Sequence, residues 1–211
     1  MPTERFLRLP EEKKRKIRLA AVEEFSRVPL EKASINKIIQ AAEISRGSFY
    51  TYFEDKSDLL CYIMEDLHTT TVNHLISNLQ ETGGDFFQTI DRLMVELLNS
   101  PQISNSDFFR HVMTGLTLSS NVERFLWGFS KDADECANLE RRLYEMTDLS
   151  GCDIHSQADF HVLMEMTTVI VISMIGKTLL CTQPPDQVLK KFRRQFYYLK
   201  NGILSRPPIQ Q

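Results

Sequence analysis

The sequence predicts an all-α protein. Its 211 residues are 42% hydrophobic, enough to bury a sizeable core, and only 8 glycines and 8 prolines interrupt them. Leu, Met, Glu, Lys and Arg recur at the spacing of amphipathic helices, whereas the alternating Val, Ile and Thr residues of strands are almost absent. We expect about nine helices, divided between a small domain over residues 8–55 and a larger helical domain over residues 56–211.

Three helices are predicted in the small domain. The first spans residues 11–28, before Pro29, and its apolar face consists of Ile17, Ala20, Ala21, Phe25 and Val28. Ser34 is placed to cap a second helix, whose apolar residues follow at helical spacing: Ile35, Ile38, Ile39 and Ala42. Ser45 is placed to cap a third helix over residues 46–52.

The larger domain begins with a long helix over residues 56–79, for which Asp55 and Asp58 are placed as a capping pair. Gly83 and Gly84 then break the helical pattern. Further helices are predicted at about residues 85–99, 104–118, 121–148, 157–181 and 185–204. The last one starts at Pro184-Pro185, since the first turn of a helix accepts proline.

The second and third helices, joined by a short turn, have the form of a helix-turn-helix. In this motif the N-terminal end of the later helix enters the DNA major groove. Gly47 and Ser48 are small enough for a close approach there, and Arg46 can reach a base edge. The residues expected to face the core of this domain are Phe25, Ile38, Ile44, Phe49 and Phe53.

Tyr50, Tyr52 and Lys56 are expected on the outer side of the motif. Their hydroxyl and ammonium groups can bind phosphates, as can the backbone amides that follow Ser34. The charge distribution supports this placement, because residues 1–60 hold 12 Lys+Arg and 10 Asp+Glu while the remainder holds 13 and 18. The whole chain has a net charge of -3, but its positive end is the N-terminal one.

The segment over residues 12–64 resembles the DNA-binding signature of the tetracycline-repressor (TetR) family. The resemblance lies in Ser34-Ile35 through Ala41-Ala42, Ile44 through Phe53, Lys56, Leu59-Leu60 and, upstream, Ile17, Ala20-Ala21 and Phe25. It implies a dimeric transcriptional repressor that binds double-stranded DNA at an inverted-repeat operator and is released by a small ligand bound in the C-terminal domain. The DNA-contacting positions that it implies are Ser34, Ser45, Arg46, Gly47, Ser48, Tyr50, Thr51, Tyr52 and Lys56.

Two positions depart from the family pattern. Glu43 stands in the turn where glycine is expected, and a left-handed backbone there would cost a non-glycine residue on the order of 1 kcal/mol. Pro29 lies where a helix-ending glycine is more usual. Neither departure removes a contact residue, but the first could change the angle between the two helices.

The last two predicted helices carry more apolar surface than one packing partner can cover. The helix over 157–181 is apolar nearly all round, and the next has an apolar stripe formed by Val188, Phe192, Phe196, Leu199 and Ile203. Two such antiparallel helices meeting their copies would form a four-helix bundle, which is also how the resembled family dimerises. A monomeric helical core is the alternative. The interface residues expected for a homodimer are Val169, Ser173, Phe192, Phe196 and Leu199.

The middle helices hold enough aromatic and thioether side chains to line a cavity for a small apolar or amphipathic effector. The candidate ligand residues are Phe108, His111, Trp127, Phe129 and Tyr144. Two alternatives stay open: a DNA-binding regulator without a small-molecule effector, and a metal-responsive one. The metal alternative comes from the sequence cluster Cys152, His155, Asp159, His161 and Glu165. We expect neither a metal nor a cofactor.

Other classes of protein are not indicated. The sequence has no glycine-rich phosphate loop, no HExxH and no nucleophile elbow, so an enzyme is not expected. The four cysteines contain no CxxC pair and the N-terminus lacks the apolar stretch of a signal peptide. The longest uncharged run of the most apolar helix, residues 166–176, is shorter than the roughly 20 residues of a membrane span. We therefore expect a cytoplasmic protein that does not enter a membrane.

Overall fold

The computed structural model describes residues 2–100, 107–115, 133–180 and 183–202. Within these ranges the chain is helical, which confirms the predicted fold class. The helices are α1 Glu4–Leu7, α2 Glu11–Arg27, α3 Ile35–Ala41, α4 Arg46–Tyr52, α5 Lys56–Glu81, α6 Phe86–Asn99, α7 Asp107–Gly115, α8 Ala133–Met146, α9 Gln157–Leu179 and α10 Pro185–Asn201. The candidate ligand residues Trp127 and Phe129 lie outside the described ranges.

An N-terminal core is enclosed by α2, α3, α4 and the first half of α5. The aromatic and aliphatic residues predicted to face this core do so: Phe25, Ile38, Phe49 and Phe53 are buried, and Ile44 packs against them. Burial of each such side chain contributes about 1.5–3 kcal/mol relative to its exposure. This core fixes the relative position of α3 and α4.

The short helix α1 was not predicted. Its one buried side chain is Phe6, whose ring lies 4.7 Å from that of Phe53, 5.9 Å from that of Tyr52 and 4.8 Å from that of Tyr62, centroid to centroid. Four residues are too few to show a helical period, so a single phenylalanine before Pro10 was the only sequence signal. As a result, α1 seals the N-terminal core from the side of α4.

Two predicted helix caps are confirmed. The Ser45 hydroxyl accepts a hydrogen bond from the backbone N–H of Ser48 at 3.0 Å, and the Asp55 carboxylate accepts one from the N–H of Asp58 at 2.8 Å. Each bond satisfies one of the backbone donors that the first turn of a helix leaves without a partner. The two caps set where α4 and α5 begin.

The long helix α5 belongs to two cores. Its first half contributes Leu59 and Ile63 to the N-terminal core, and its second half contributes Leu75 and Leu79 to a C-terminal core. At 26 residues, α5 spans roughly 39 Å. The other helices of the C-terminal core are α6, α8, α9 and α10, with buried residues that include Phe86, Met94, Leu143, Phe160 and Val188.

Helix α7 packs on α2. The ring of Phe108 is buried with its centroid 6.5 Å from that of Phe25, and Nδ1 of His111 lies 2.9 Å from the backbone oxygen of Ser26. Because a carbonyl oxygen only accepts, the imidazole donates this hydrogen bond. Two of the predicted ligand residues, Phe108 and His111, therefore lie where the C-terminal domain meets α2.

The apolar stripe of α10 points into its own protomer. Phe192 is fully buried and Phe196 is 6% exposed, with rings stacked at 4.8 Å and Phe86 and Phe87 beside Phe196. The expectation that these two side chains form the face of α10 that meets a second copy is therefore wrong. An apolar pattern in the sequence predicts that one face of a helix is buried, but it does not show whether that face packs against the same chain or against a second copy.

Helix α9 is the most apolar helix of the described chain. It is 23 residues long, and by length and composition alone it could cross a membrane. This differs from the sequence-based expectation, which counted only the longest uncharged run. The helix contributes Phe160, Leu163, Met164 and Met174 to the C-terminal core.

Gly84 offers a test of a backbone contact inside the C-terminal domain, between the segment before α6 and the segment after α8. Its backbone oxygen accepts a hydrogen bond from the N–H of Asp148 at 2.9 Å, and a Cβ on Gly84 would lie 2.8 Å from the nitrogen of Asp148 and the oxygen of Met146. Gly83 has a similar left-handed backbone, with φ of 65° against 87°, but nothing within 4 Å of a Cβ.

We expect Gly83→Ala to lower the free energy of unfolding by about 1 kcal/mol, the cost of its backbone conformation. Gly84→Ala should cost roughly 1–3 kcal/mol more, because the added methyl group pushes two backbone segments apart. Thermal and denaturant unfolding of the two variants measure the difference. Equal destabilisation would show that the contact between Gly84 and Asp148 contributes nothing to stability.

Candidate nucleic-acid interface

The turn between α3 and α4 contains a strained residue. Glu43 has φ of 54°, the left-handed conformation expected from its position, and among the described residues it is the only non-glycine with a positive φ. Its carboxylate lies 3.2 Å from Nζ of Lys16 on α2. The turn therefore has the geometry for which glycine is usual, and an exposed ion pair ties it to α2.

The first turn of α4 is exposed. A Cβ added to Gly47 would meet only the hydroxyl of Ser45, at 3.9 Å, so the helix backbone is open to a close approach at this point. The guanidinium of Arg46 donates a hydrogen bond to Oδ1 of Asn36 at 2.8 Å and lies 5.7 Å from the ring centroid of Tyr50. Arg46 is thus held beside the exposed surface of α3 and α4, with further N–H donors available.

The second turn of α4 places its two tyrosines differently. Tyr50 is 48% exposed, as expected, whereas Tyr52 is only 8% exposed. The expectation that Tyr52 stays on the outer side is wrong, because α1 covers its ring with Phe6. Between them, Thr51 donates a hydrogen bond from its hydroxyl to the backbone oxygen of Gly47 at 2.9 Å, so it lies on the same helix face as Gly47.

Lys56 ties the start of α5 to the segment before α3. Its ammonium donates hydrogen bonds to the backbone oxygens of Glu31 at 2.7 Å and Ala33 at 3.4 Å. An ammonium has three donors, so one is left for a ligand. The same side chain lines an open cleft of about 330 Å³ together with Ser34, Asn36, Arg46, Ser57 and one carboxylate, Asp55, which caps α5 by accepting from the N–H of Asp58. Two cations and two hydroxyls in one open cleft can bind a phosphate group.

A buried carboxylate fixes the beginning of α3. Glu24 of α2 is 5% exposed; it accepts hydrogen bonds from Arg27 at 2.7 and 2.8 Å and from the backbone N–H of Ser34 at 2.9 Å. The hydrogen bonds from Arg27 are the main reason why the pKa of Glu24 lies below its ordinary value of 4.5, and the bond from Ser34 lowers it further. Ser34 is the residue before α3, as expected, but the expectation that its side chain caps the helix is wrong, because its hydroxyl makes no capping bond and Glu24 binds its backbone N–H instead. Its side chain lines the cleft.

The residues of the metal alternative do not meet in a common site. Nε2 of His155 lies 2.8 Å from Asp153, while the His161 ring lies 3.3 Å from Glu140 and 3.7 Å from Glu165. In the part of the chain that the structure describes, no group of three His, Cys, Asp or Glu side chains is arranged to hold a metal ion.

The fold and the site define a helix-turn-helix protein with a helical C-terminal domain. Two family models match this chain: "Tetracyclin repressor-like, C-terminal domain" over residues 85–203 and "Bacterial regulatory proteins, tetR family" over residues 17–63. The first alone covers more than half of the chain. The protein belongs to the tetracycline-repressor family.

Individual proteins are similar to this chain in sequence or in fold. The chain is 32% identical over 110 residues to the uncharacterized HTH-type transcriptional regulator YvdT of Bacillus subtilis, a match that covers 52% of this chain and 56% of that protein. In fold it is similar to the transcriptional regulator FadR of B. subtilis, solved in complex with stearoyl-CoA, with a TM-score of 0.56, 14% identity and coverage of 90% of this chain and 100% of FadR. A TetR-family regulator from Pectobacterium atrosepticum gives a TM-score of 0.52 at 18% identity, covering 93% and 96% of the two chains.

Proposed function

We propose that the protein is a dimeric, sequence-specific DNA-binding repressor that a small apolar or amphipathic ligand releases from its operator. The observation that carries this proposal is the exposed first turn of α4, where Arg46, Gly47 and Ser48 lie beside the cleft lined by Lys56. Arg46, Gly47 and Ser48 can contact a base edge in the major groove, and the cleft can bind the neighbouring phosphates.

The dimer in this proposal forms mainly through α9. Its exposed side carries Val162, Met166 and Val169, at 52%, 48% and 40% exposure. Ser173 and Gly176 continue the same stripe at helical spacing, and a Cβ on Gly176 would meet nothing within 4 Å. Large apolar residues followed by small ones allow two copies of a helix to pack closely. Val169 and Ser173 stay in the proposed interface, while Phe192 and Phe196 leave it.

The ligand in this proposal binds within the C-terminal domain. Tyr144 on α8 is half-buried with its ring 5.6 Å from that of Phe160, which makes it the described candidate with a polar group next to the C-terminal core. The fold neighbour FadR holds stearoyl-CoA, which supports an acyl-chain ligand as the class to test first. Phe108 and His111 contact α2 instead, so in this proposal they transmit the binding signal.

A titration of two variants separates base contacts from phosphate contacts. Arg46→Ala should relax the preference at one base position of each half-site, because a bidentate contact to guanine is worth about 1–3 kcal/mol of discrimination. Lys56→Ala should weaken binding to all sequences alike. It should also reduce the slope of log affinity against log salt concentration by roughly one per subunit. The measurement is a salt-dependent titration of base-substituted duplexes, starting from an operator obtained by genomic binding-site selection. The reverse pattern would mean that the two roles are assigned wrongly.

Val169→Glu should convert the dimer to a monomer with an intact fold and weaker operator binding. The reason is that a dimer would bury two unpaired carboxylates, each at a cost of several kcal/mol. Leu19→Glu is the matched control, since Leu19 is 54% exposed on α2, outside the stripe, and should leave the dimer intact. Sedimentation and circular dichroism measure both properties. A dimeric Val169→Glu variant, or a monomeric wild type, would contradict the proposed interface.

Stearoyl-CoA should raise the melting temperature and weaken operator binding by roughly 5–150-fold, the range of a coupling free energy of about 1–3 kcal/mol. Coenzyme A without the acyl chain is the control and should do neither. A panel of other amphipathic compounds extends the test beyond acyl chains. Binding of a compound without a change in operator affinity would contradict the release mechanism, and a panel without any binder would favour a regulator that has no small-molecule effector.

A further inference from the structure

The N-terminal helix α1 is fixed to the C-terminal end of α4. The backbone N–H of Thr3 donates to the oxygen of Tyr52 at 3.0 Å, and its hydroxyl donates to the oxygen of Thr51 at 2.8 Å. These are carbonyl groups that the last turn of a helix leaves without partners. With the fully buried ring of Phe6 as an anchor, α1 and α4 form one packed unit.

A cleft lies between α1 and α4. It has a volume of about 470 Å³ and is lined by Thr3, Glu4, Arg5, Arg8 and Thr51. Thr51 is bonded to the backbone oxygen of Gly47, one helical turn earlier on the same face. Gly47 is at the end of α4 that is proposed to enter the major groove. Thr51, and with it the cleft, lies one helical turn after Gly47 on the same face of α4.

The charge in this cleft is predominantly positive. Arg8 pairs with Glu4 at 2.7 Å, but both side chains are about four-fifths exposed, at 79% and 82%. An exposed ion pair of this kind is weak and is readily exchanged for another anion. Arg5 is exposed and makes no ion pair with another described residue. Guanidinium groups bind phosphate through parallel N–H donors, so the pair of arginines matches a phosphodiester backbone.

We propose that Arg5 and Arg8 bind the phosphate backbone of the operator at the C-terminal end of the recognition helix α4. This inference rests on the proposed function. A helix in the major groove has a phosphate strand on each side. The cleft of Lys56 and the cleft of Arg5 and Arg8 share no lining residue, so the two sites can hold different phosphates at once and set the depth and tilt of α4.

The test is a salt-dependent titration of two duplexes, one of mixed sequence and one selected from genomic DNA. Arg5→Ala and Arg8→Ala should each weaken binding by about tenfold per protomer near 0.1 M salt and reduce the salt slope by about 0.9 per lost phosphate contact. Arg5→Lys should retain most of the affinity and most of the salt slope, because it keeps the positive charge. Glu4→Gln should bind more tightly than wild type, because it removes the carboxylate that competes for Arg8, and this gain should disappear in the double variant with Arg8→Ala. A gain of equal size in both backgrounds would come from the loss of a negative charge alone and would contradict the role of Arg8.

Arg142→Ala is the matched control, since Arg142 is an exposed arginine of α8 in the C-terminal domain, and it should bind like wild type. Melting temperatures establish that each variant is folded. Wild-type affinity and salt slope in both Arg5→Ala and Arg8→Ala, with weakened binding in Lys56→Ala, would overturn the role of α1 and leave the proposed function standing. A folded wild-type protein that bound neither duplex would overturn both.

Discussion

The packing of α2 is the constraint on which the rest of the structure depends. One side of this helix buries Ile17, Ala21 and Phe25 against the helix-turn-helix. In its C-terminal half, the buried Glu24 accepts a hydrogen bond from the backbone N–H of Ser34, just before α3. The backbone oxygen of Ser26 accepts one from His111 of α7. A shift of α2 would therefore move the DNA-facing helices and the C-terminal domain together.

Two physical connections join the domains, and they act at different points. The long helix α5 begins with Lys56 at the cleft that also contains Ser34 and Arg46, and near its far end Glu81 pairs with Arg92 of α6. Helix α7 reaches α2 directly through Phe108 and His111. A ligand can shift an equilibrium only by its differential affinity for the two arrangements. The connection through α7 is the shorter one, because α7 packs directly on α2 and buries Phe108, Phe109 and Val112 in the N-terminal core.

The sequence was sufficient for the helix-turn-helix because each of its elements carries its own local signal. Ser45 and Asp55 mark helix starts, and Phe49 and Phe53 fall on the period of the core, so local and tertiary preferences agree. It was not sufficient where the outcome depends on which surface covers a side chain. Tyr52 carries no sign that a four-residue helix lies over it, and the stripe of Phe192 and Phe196 looks the same whether its cover comes from one chain or from two.

The small excess of positive charge in the N-terminal part makes the placement of individual cations decisive. Residues 1–60 hold 12 Lys+Arg and 10 Asp+Glu, so their net charge alone attracts DNA only weakly. Lys16 and Lys14 are paired with carboxylates, and Lys56 already donates to two backbone oxygens. In the proposed function, the phosphate affinity of this domain therefore comes from the few cations that lie next to α4. Arg46 lies at the N-terminal end of α4, and at the other end α1 holds Arg5 in place because Phe6 is buried in the same core that supports α4.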